Sequence, residues 1–139
     1  MYEKILLPTD GSEESEEAVN HAEELAERFE AEIHILHVVD IRKQAGEPRV
    51  PTQVESMRKT GEEIVDDIGD KFDLSTVKEV RVGIPHQEIN NYVEENSIDL
   101  IAMGSHGRSG LNRMLLGSVT EKVLRTCSVP ILTAQSESE

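Results

Sequence analysis

The clearest structural signal in the chain lies at residues 98–118, which read IDLIAMGSHGRSGLNRMLLGS. The first six of these residues are nearly all apolar, which is typical of a strand buried on both faces of a parallel sheet. A glycine-rich segment follows from Gly104, and the pattern then predicts a helix that begins near Ser118. Strand, loop and helix in this order favour an α/β fold with the loop at the carboxyl ends of the strands.

The same alternation of short apolar runs and amphipathic stretches extends through the rest of the chain. Strands are predicted at residues 5–7, 31–39, 77–82, 98–103 and 129–134. Helices are predicted from about residue 12, over about residues 52–72, from Pro85 and from near Ser118. The third strand alternates valines with charges, as an edge strand does. We therefore predict one α/β domain over residues 1–139, with an open, five-stranded parallel sheet, helices on both faces and a frayed tail at 135–139.

The first two predicted helices each carry one apolar face. In the first, the apolar residues recur at spacings of three and four: Ala18, Val19, Ala22, Leu25, Ala26 and Phe29. In the second, the face consists of Met57, Ile64, Val65, Ile68 and Phe72. Both faces are predicted to pack on the sheet, while the glutamates on the opposite side of the first helix are predicted to face solvent.

The acidic composition restricts the partners of the chain. Its 139 residues include 28 Asp and Glu against 14 Lys and Arg, for a formal charge of −14. Nucleic acid and anionic membrane surfaces both require positive charge on a protein, so we expect neither partner. No apolar run approaches the roughly 20 residues of a membrane helix, and the first eight residues hold too short an apolar run for a signal peptide. With Cys127 as the single cysteine, the sequence predicts a cytoplasmic protein without internal disulfides.

The glycine-rich segment has the features of a phosphate-binding loop. Glycines let backbone N–H groups approach a ligand closely, successive N–H groups form an anion nest, and a helix N-terminus adds further donors. The spacing matches neither the Walker A loop, because no Gly-Lys-Ser/Thr occurs, nor the dinucleotide fingerprint. The alternative is a tight turn before a capped helix, in which Ser118 is the cap and Glu121 closes a capping box.

A longer motif connects this segment with a known family. The spacing Gly104-x2-Gly107-x9-Gly117-Ser118 is similar to the G-2x-G-9x-G-[S/T] motif of ATP-binding universal stress proteins. Shorter segments at residues 5–10, 37–40, 82–85 and 128–132 resemble the same family, in the same order along the chain. The resemblance covers essentially the whole chain without a large insertion.

The resemblance implies a Rossmann-like sheet of strand order 3-2-1-4-5 and an ATP-binding module of stress response or signalling, with slow or no hydrolysis. In that order the helices after strands 1 and 4 leave in opposite directions, so the carboxyl ends of these neighbouring strands define a crevice. Mg²⁺ or Mn²⁺ would accompany the triphosphate without a dedicated protein cage. The family also dimerises through its last strand, so a homodimer with apolar contacts from Ile131 and Leu132 is implied here.

The resemblance also implies a nucleotide site, position by position. Pro8, Thr9 and Asp10 would line its nucleoside end, the backbone of Val38 would hydrogen-bond adenine, and Met103 would contact the base. Ribose and phosphates would be wrapped by Gly104, Ser105, His106, Gly107, Arg108, Ser109 and Gly110. The phosphates would be closed off by Gly117, Ser118, Val119 and Thr120. Our own addition to this set is positive charge from Arg108 and Arg113.

Several candidate residues also have a plain structural interpretation. Asp10 can cap the first helix, and His106 can face solvent. His34 and His37 lie three positions apart on a strand, so they are predicted to point to opposite faces and to share no metal. His86 is interpreted as an ordinary residue of a helix's first turn, and Cys127 as a small buried hydrophobe.

The sequence offers no general base or nucleophile with an evident partner, so no catalytic residues are predicted. A related superfamily that cleaves ATP between its α- and β-phosphates carries Ser-Gly-Gly after strand 1, where this chain has Thr-Asp-Gly-Ser at residues 9–12. Adenylation chemistry is therefore disfavoured. Two alternatives to the ATP-binding module stay open: a dimeric interaction protein of the same fold that uses no nucleotide, and a slow ATPase. ADP or AMP can also replace ATP as the ligand.

Overall fold

The structure, a computed structural model, describes residues 1–12, 16–42, 47–105 and 117–135. Its strands are β1 (Lys4–Pro8), β2 (Glu32–Asp40), β3 (Thr76–Gly83), β4 (Leu100–Gly104) and β5 (Ile131–Ala134). Its helices are α1 (Glu16–Phe29), α2 (Pro51–Gly69), α3 (Pro85–Glu95) and α4 (Ser118–Thr126). The predicted alternation of strand and helix is confirmed.

The strands form one parallel sheet of order β3-β2-β1-β4-β5, as predicted. The central strand β1 pairs on one side with β2, where Pro8 lies opposite Leu36, and on the other with β4, where Leu6 lies opposite Ile101. Chain order reverses between β1 and β4. We call the edge formed by the carboxyl ends of the five strands the carboxyl edge of the sheet. The ends of β1 and β4 therefore lie at the point of this edge where ligands bind in open α/β sheets.

Helices cover both faces of the sheet because successive strand residues point to opposite sides. On β1, Ile5 and Leu7 pack against α1 and α2, and Leu6 packs against α3 and α4. All three side chains are fully buried. We call these the α1–α2 face and the α3–α4 face. Burial on both faces explains the nearly continuous apolar runs in the sequences of the central strands.

Some element boundaries differ from the prediction because local hydrogen bonds end an element early. The α2 helix ends at Gly69, since the N–H groups of Lys71 and Phe72 donate to the third residue before them and close a tight turn. Phe72 is nevertheless buried, as predicted. The β4 strand begins at Leu100, because the N–H of Ile98 donates to Val93 at the end of α3. The first helix is described from Glu16, and residues 13–15 lie outside the described part of the chain.

Two side chains predicted to be buried are more exposed than expected. Phe29, the last residue of α1, is 42% exposed and lies edge-on to the ring of Tyr2. Cys127 is half-buried because α4 ends one residue before it, and its Sγ lies 2.9 Å from the carbonyl oxygen of Val129. The predicted tail at 135–139 is described only at Gln135.

The two histidines of β2 point to opposite faces, as predicted. His37 contacts Gly61 of α2, whereas His34 is buried against Tyr92 of α3. His34 bridges two side chains at 2.6 Å each, with Nε2 near a carboxylate oxygen of Glu32 and Nδ1 near the Tyr92 hydroxyl. Because an ionised carboxylate only accepts hydrogen bonds, His34 Nε2 donates to Glu32, and in the neutral ring Nδ1 then accepts from the Tyr92 hydroxyl.

Removing the Tyr92 hydroxyl is expected to destabilise the fold. In Tyr92→Phe the Nδ1 atom of the buried His34 ring loses its donor, so the free energy of unfolding should fall by about 1–3 kcal/mol. Urea denaturation measures this change. Tyr2→Phe removes the other tyrosine hydroxyl of the chain and is the matched control. A Tyr92→Phe protein as stable as Tyr2→Phe would contradict the assigned hydrogen bond.

The same hydroxyl gives stability a dependence on alkaline pH. Burial, followed by the charge of Glu79, raises the pKa of Tyr92 from 10.0 to about 12. A folded-state pKa above the unfolded value contributes stability that is complete below about pH 10 and is lost as pH rises towards 12. The stability difference between wild type and Tyr92→Phe should therefore shrink over that range, as urea titrations at several pH values can show.

Within the described ranges, no helix is both long and apolar enough to cross a membrane.

Candidate functional site

The loop after β1 is tied to β2 by two backbone contacts at the carboxyl edge. The N–H of Thr9 donates to the carbonyl of Leu36 at 2.9 Å, which extends the sheet beyond Pro8. Nδ1 of His37 donates to the carbonyl of Thr9 at 2.8 Å. The sequence did not predict a role for His37 in the site. The one signal for such a role is that His37 directly precedes Val38, a predicted site residue. The histidine fixes the strand end from which the predicted nucleoside contacts project.

The next residues of this loop form two small side-chain turns. The Thr9 hydroxyl accepts from the N–H of Gly11 at 3.1 Å, and the Asp10 carboxylate accepts from the N–H of Ser12 at 2.9 Å. Gly11 has a φ of 82°, in the left-handed region that glycine adopts without a steric penalty. The Asp10 carboxylate thus accepts a hydrogen bond within its own loop. The start of the first helix, which the alternative interpretation has Asp10 cap, falls on residues 13–15 and lies outside the described residues. The loop is ordered by its own sequence.

An apolar surface lies beside this loop on the α3–α4 face. Val38 of β2 and Val119 of α4 are partly buried against the same apolar cluster, to which Met103 of β4 contributes with 6% exposure. Pro8 lies two residues after Leu6, whose side chain belongs to this cluster too. Val38 and Met103, which the family resemblance assigned to the base, and Val119, which it assigned to the phosphates, are therefore brought together from three different elements.

Both ends of the glycine motif are fixed by backbone hydrogen bonds. The N–H of Ser105 donates to Ala134 of β5 at 2.9 Å, and its carbonyl accepts from the N–H of Gly117 at 2.7 Å. The hydroxyl of Thr120 donates to the carbonyl of Gly104 at 3.0 Å, and Ser105 and Thr120 are both buried. The start and the end of the loop thus meet at the tip of β4.

The middle of the motif lies outside the described residues. This applies to the predicted site residues His106, Gly107, Arg108, Ser109 and Gly110, and to Arg113.

The N-terminus of α4 differs from the predicted capping box. Gly117 is the N-cap and Ser118 is the first helical residue, so the N-cap residue has no side chain with which to cap the helix. Glu121 instead pairs with Arg125 at 2.8 Å, one turn further along the same helix. The first N–H groups of a helix have no acceptor within it, and here they belong to Ser118, Val119 and Thr120 at the carboxyl edge. Such donors attract anions.

The backbone of Gly117 does not require glycine. Its φ of −63° and ψ of 152° are accessible to any L-amino acid. What glycine contributes here is the absence of a side chain beside the first turn of α4. Space next to helix N–H groups is what a bound phosphate needs.

Positive charge surrounds the end of β2. The Asp40 carboxylate accepts from Nε of Arg42 at 3.0 Å and from its Nη2 at 3.2 Å, and the Asp40 carbonyl accepts from Arg49. Burial raises the pKa of Asp40, but the hydrogen bonds and charge of Arg42 outweigh it, so the pKa lies below its usual value. The carboxylate next to the apolar surface is therefore neutralised by its own neighbours.

Among residues 1–12, 16–42, 47–105 and 117–135, no group of three or more His, Cys, Asp or Glu could hold a metal ion.

Comparison with known proteins places the fold and the sequence in one family. A family model, described as the universal stress protein family, matches residues 1–135. The universal stress protein MJ0531 of Methanocaldococcus jannaschii is 36% identical to this chain, over 97% of this chain and 83% of the relative. The universal stress protein MJ0577 of the same organism is 33% identical, over 99% of this chain and 98% of the relative.

Solved structures agree with these sequence relatives. The structure of MJ0577 superposes with a TM-score of 0.83 and covers 100% of this chain and 99% of its own, at 33% identity. A universal stress protein solved in complex with cAMP has a TM-score of 0.76 at 22% identity and covers 98% of this chain and 99% of its own. At that identity the second structure supports the fold alone. Sequence, strand order and structural likeness lead to one conclusion: the chain belongs to the universal stress protein family.

Proposed function

We propose that this chain is an ATP-binding member of the family that acts in the cytoplasm as a nucleotide-dependent module of stress response or signalling. The observation that carries the proposal is the position of the glycine motif. Its two ends are joined by the hydrogen bond of 2.7 Å from the N–H of Gly117 to the carbonyl of Ser105. This bond lies where strand order reverses and where α4 begins. Such a combination of glycine loop and helix dipole binds phosphate groups.

Each part of the proposed nucleotide has a place at the carboxyl edge. Adenine lies against Val38 and Met103, with its edge hydrogen-bonded to the backbone of Val38. The nucleoside contacts the loop of Pro8, Thr9 and Asp10. Ribose and phosphates follow the glycine motif, whose proposed contacts are Gly104 to Gly110, Gly117, Ser118, Val119 and Thr120. The α4 N-terminus supports an orientation with the phosphates towards α4, because its N–H groups attract the most negative part of the ligand.

Mg²⁺ or Mn²⁺ is proposed to accompany the triphosphate, held chiefly by phosphate oxygens and water. We assign no catalytic residue, and hydrolysis is proposed to be slow or absent. The bound nucleotide then acts as a signal, read by a partner protein or by a second copy of the chain. The second copy is proposed to pair at β5, where Ile131 and Leu132 are half-buried at the edge of the sheet.

Thermal melting with added nucleotide tests the proposal. A ligand at 100 times its Kd stabilises the native state by about 2.7 kcal/mol, so the melting temperature with ATP and Mg²⁺ should rise by roughly 5–10 °C. GTP at the same concentration is the control for the adenine contacts, and ADP, AMP and cAMP define how much of the phosphate chain matters. Melting curves unchanged by all adenine nucleotides would favour the nucleotide-free interaction protein.

A further inference from the structure

The two helices of the α3–α4 face are joined by a side-chain hydrogen bond that fixes their register. Nδ2 of Asn90 on α3 donates to the hydroxyl of Thr126 on α4 at 2.7 Å. Both helices connect parallel strands, so both run back from the carboxyl edge in the same direction. Residues four positions earlier on each helix share its face, which places His86 and Lys122 opposite each other, one turn nearer the carboxyl edge.

A third basic side chain approaches from the end of β2. The N–H of Ile41 donates to the carbonyl of Gly83 at 3.2 Å, which holds the chain after β2 beside the start of α3. Arg42 is the next residue, and its guanidinium is oriented by Asp40. Burial, and then the charges of Lys122 and Arg42, lower the pKa of His86, in agreement with this placement. We call Arg42, His86 and Lys122 the cationic cluster.

Each carboxylate near the cationic cluster already has a basic partner, and for Asp40 that partner is Arg42 of the cluster itself. Asp40 pairs with Arg42, and Glu121 of α4 pairs with Arg125. A carboxylate oxygen of Glu88 on α3 lies 3.7 Å from Nη1 of Arg81. Among the described residues, the side chains of His86 and Lys122 have no hydrogen bond or ion pair. In a chain with twice as many acidic as basic residues, a histidine and a lysine of one cluster that both have no anionic partner among the described residues are unexpected. Basic side chains gathered in this way are typical of sites whose counter-charge arrives with a ligand.

We propose that the cationic cluster of Arg42, His86 and Lys122 binds the terminal phosphates of a nucleoside triphosphate, so that the site prefers triphosphate to monophosphate. This inference rests on the proposed function, since the nucleotide supplies the phosphates. Helical side chains lean towards the N-terminus of their helix, so Lys122 leans towards the N–H groups of Ser118 to Thr120. The ammonium group and the helix N-terminus then act on the same phosphate chain.

The cluster also makes binding depend on pH. A phosphate beside His86 stabilises its protonated form, so the bound state has the higher His86 pKa. By linkage, ATP binds more tightly as pH falls from the His86 pKa of the complex to that of the free protein. At pH values above the pKa of the complex, His86 is neutral and this gain in affinity is lost. The other charged groups that act on His86 are Lys122 of α4 and Arg42 after β2.

NMR titration of the His86 ring protons tests the cluster, with inorganic tripolyphosphate and ATP as separate probes. The His86 signal is identified by its loss in His86→Gln. The pKa of His86 is expected to rise with either probe. In Lys122→Met and His86→Gln the ratio of ATP to AMP affinity should fall roughly 10-fold each. Lys59→Met removes a lysine from α2, on the opposite face of the sheet, and should leave the ratio unchanged.

The outcomes separate this inference from the proposed function. If ATP binds but neither the His86 pKa nor the ATP to AMP ratio changes, the cluster is not a phosphate site and the nucleotide site stands. If tripolyphosphate raises the His86 pKa and no adenine nucleotide binds, the cluster stands as a polyphosphate site and the proposed ATP function is wrong. If neither probe binds or moves the His86 signal, both are wrong.

Discussion

Placing valine at Gly107 and Gly117 together is expected to weaken ATP binding about 100-fold or more. Each valine adds bulk where the proposed phosphates approach backbone N–H groups, and loss of two charge-assisted hydrogen bonds corresponds to roughly this factor. The backbone of Gly117 already has angles that valine adopts, and valine keeps the N–H that donates to Ser105. Titration calorimetry with ATP measures the change.

The double variant has a matched control in Ser128→Val. Ser128 is exposed in the turn before β5, at the opposite end of the sheet from the glycine motif, so valine there should leave ATP affinity unchanged. Circular dichroism and the melting temperature without ligand show whether each variant is folded. A folded double variant with wild-type affinity for ATP would show that the glycine motif does not hold the phosphates.

Shortening Leu36 to alanine is expected to give a large loss of stability. Leu36 lies on β2, is fully buried in the cluster of the α3–α4 face, and accepts the hydrogen bond of Thr9 through its carbonyl. Large-to-small changes at such positions destabilise by about 2–5 kcal/mol, because the surrounding side chains fill the cavity only in part. That is a substantial share of a typical total of about 5–15 kcal/mol. The melting temperature should fall by roughly 10 °C.

Val77→Ala on the edge strand β3 is the control for this change. Val77 is 39% exposed, so the same kind of truncation should alter the free energy of unfolding by no more than about 0.5 kcal/mol. Urea denaturation at one temperature compares the two variants. Equal effects at Leu36 and Val77 would contradict the division of the chain into a buried central sheet and an exposed edge.

Much of the fold follows from local patterns in the sequence. The run at residues 98–103 identified a strand buried on both sides, and the charged alternation at residues 77–82 identified the edge strand. These predictions succeed because burial decides which positions of a strand are apolar. A strand buried on both faces is apolar throughout, and a strand at the edge alternates apolar and charged residues. Strand order is different, since it depends on which strands pair across the chain, and here it came from the family resemblance.

The candidate site was predicted less completely, because it depends on contacts between distant residues. The hydrogen bond from His37 to Thr9 joins residues 28 positions apart, and no local pattern marks it. The prediction of Ser118 as helix cap was wrong by one residue. Ser118 and Gly117 are both acceptable caps, and the first hydrogen bond of the helix runs from the N–H of Glu121 to the carbonyl of Gly117.

The cationic cluster shows the same limit more strongly. His86 was interpreted from the sequence as an ordinary first-turn residue, and its helix position is confirmed. Its relation to Lys122 follows only from the register of α3 against α4, which the bond between Asn90 and Thr126 fixes. Sequence position alone gives no such register, because helix packing is set by the whole face of each helix.

Isothermal titration of nucleotide-free protein with ATP and Mg²⁺ tests most directly the proposal that the carboxyl edge of this sheet binds ATP. Denaturing a portion of the purified protein and analysing it for released nucleotide by mass spectrometry shows whether the site is empty at the start. We expect saturable binding of one ATP per chain, with weaker binding of AMP. Absence of binding by ATP, ADP and AMP at millimolar concentration, in a protein that is folded and nucleotide-free, would contradict it.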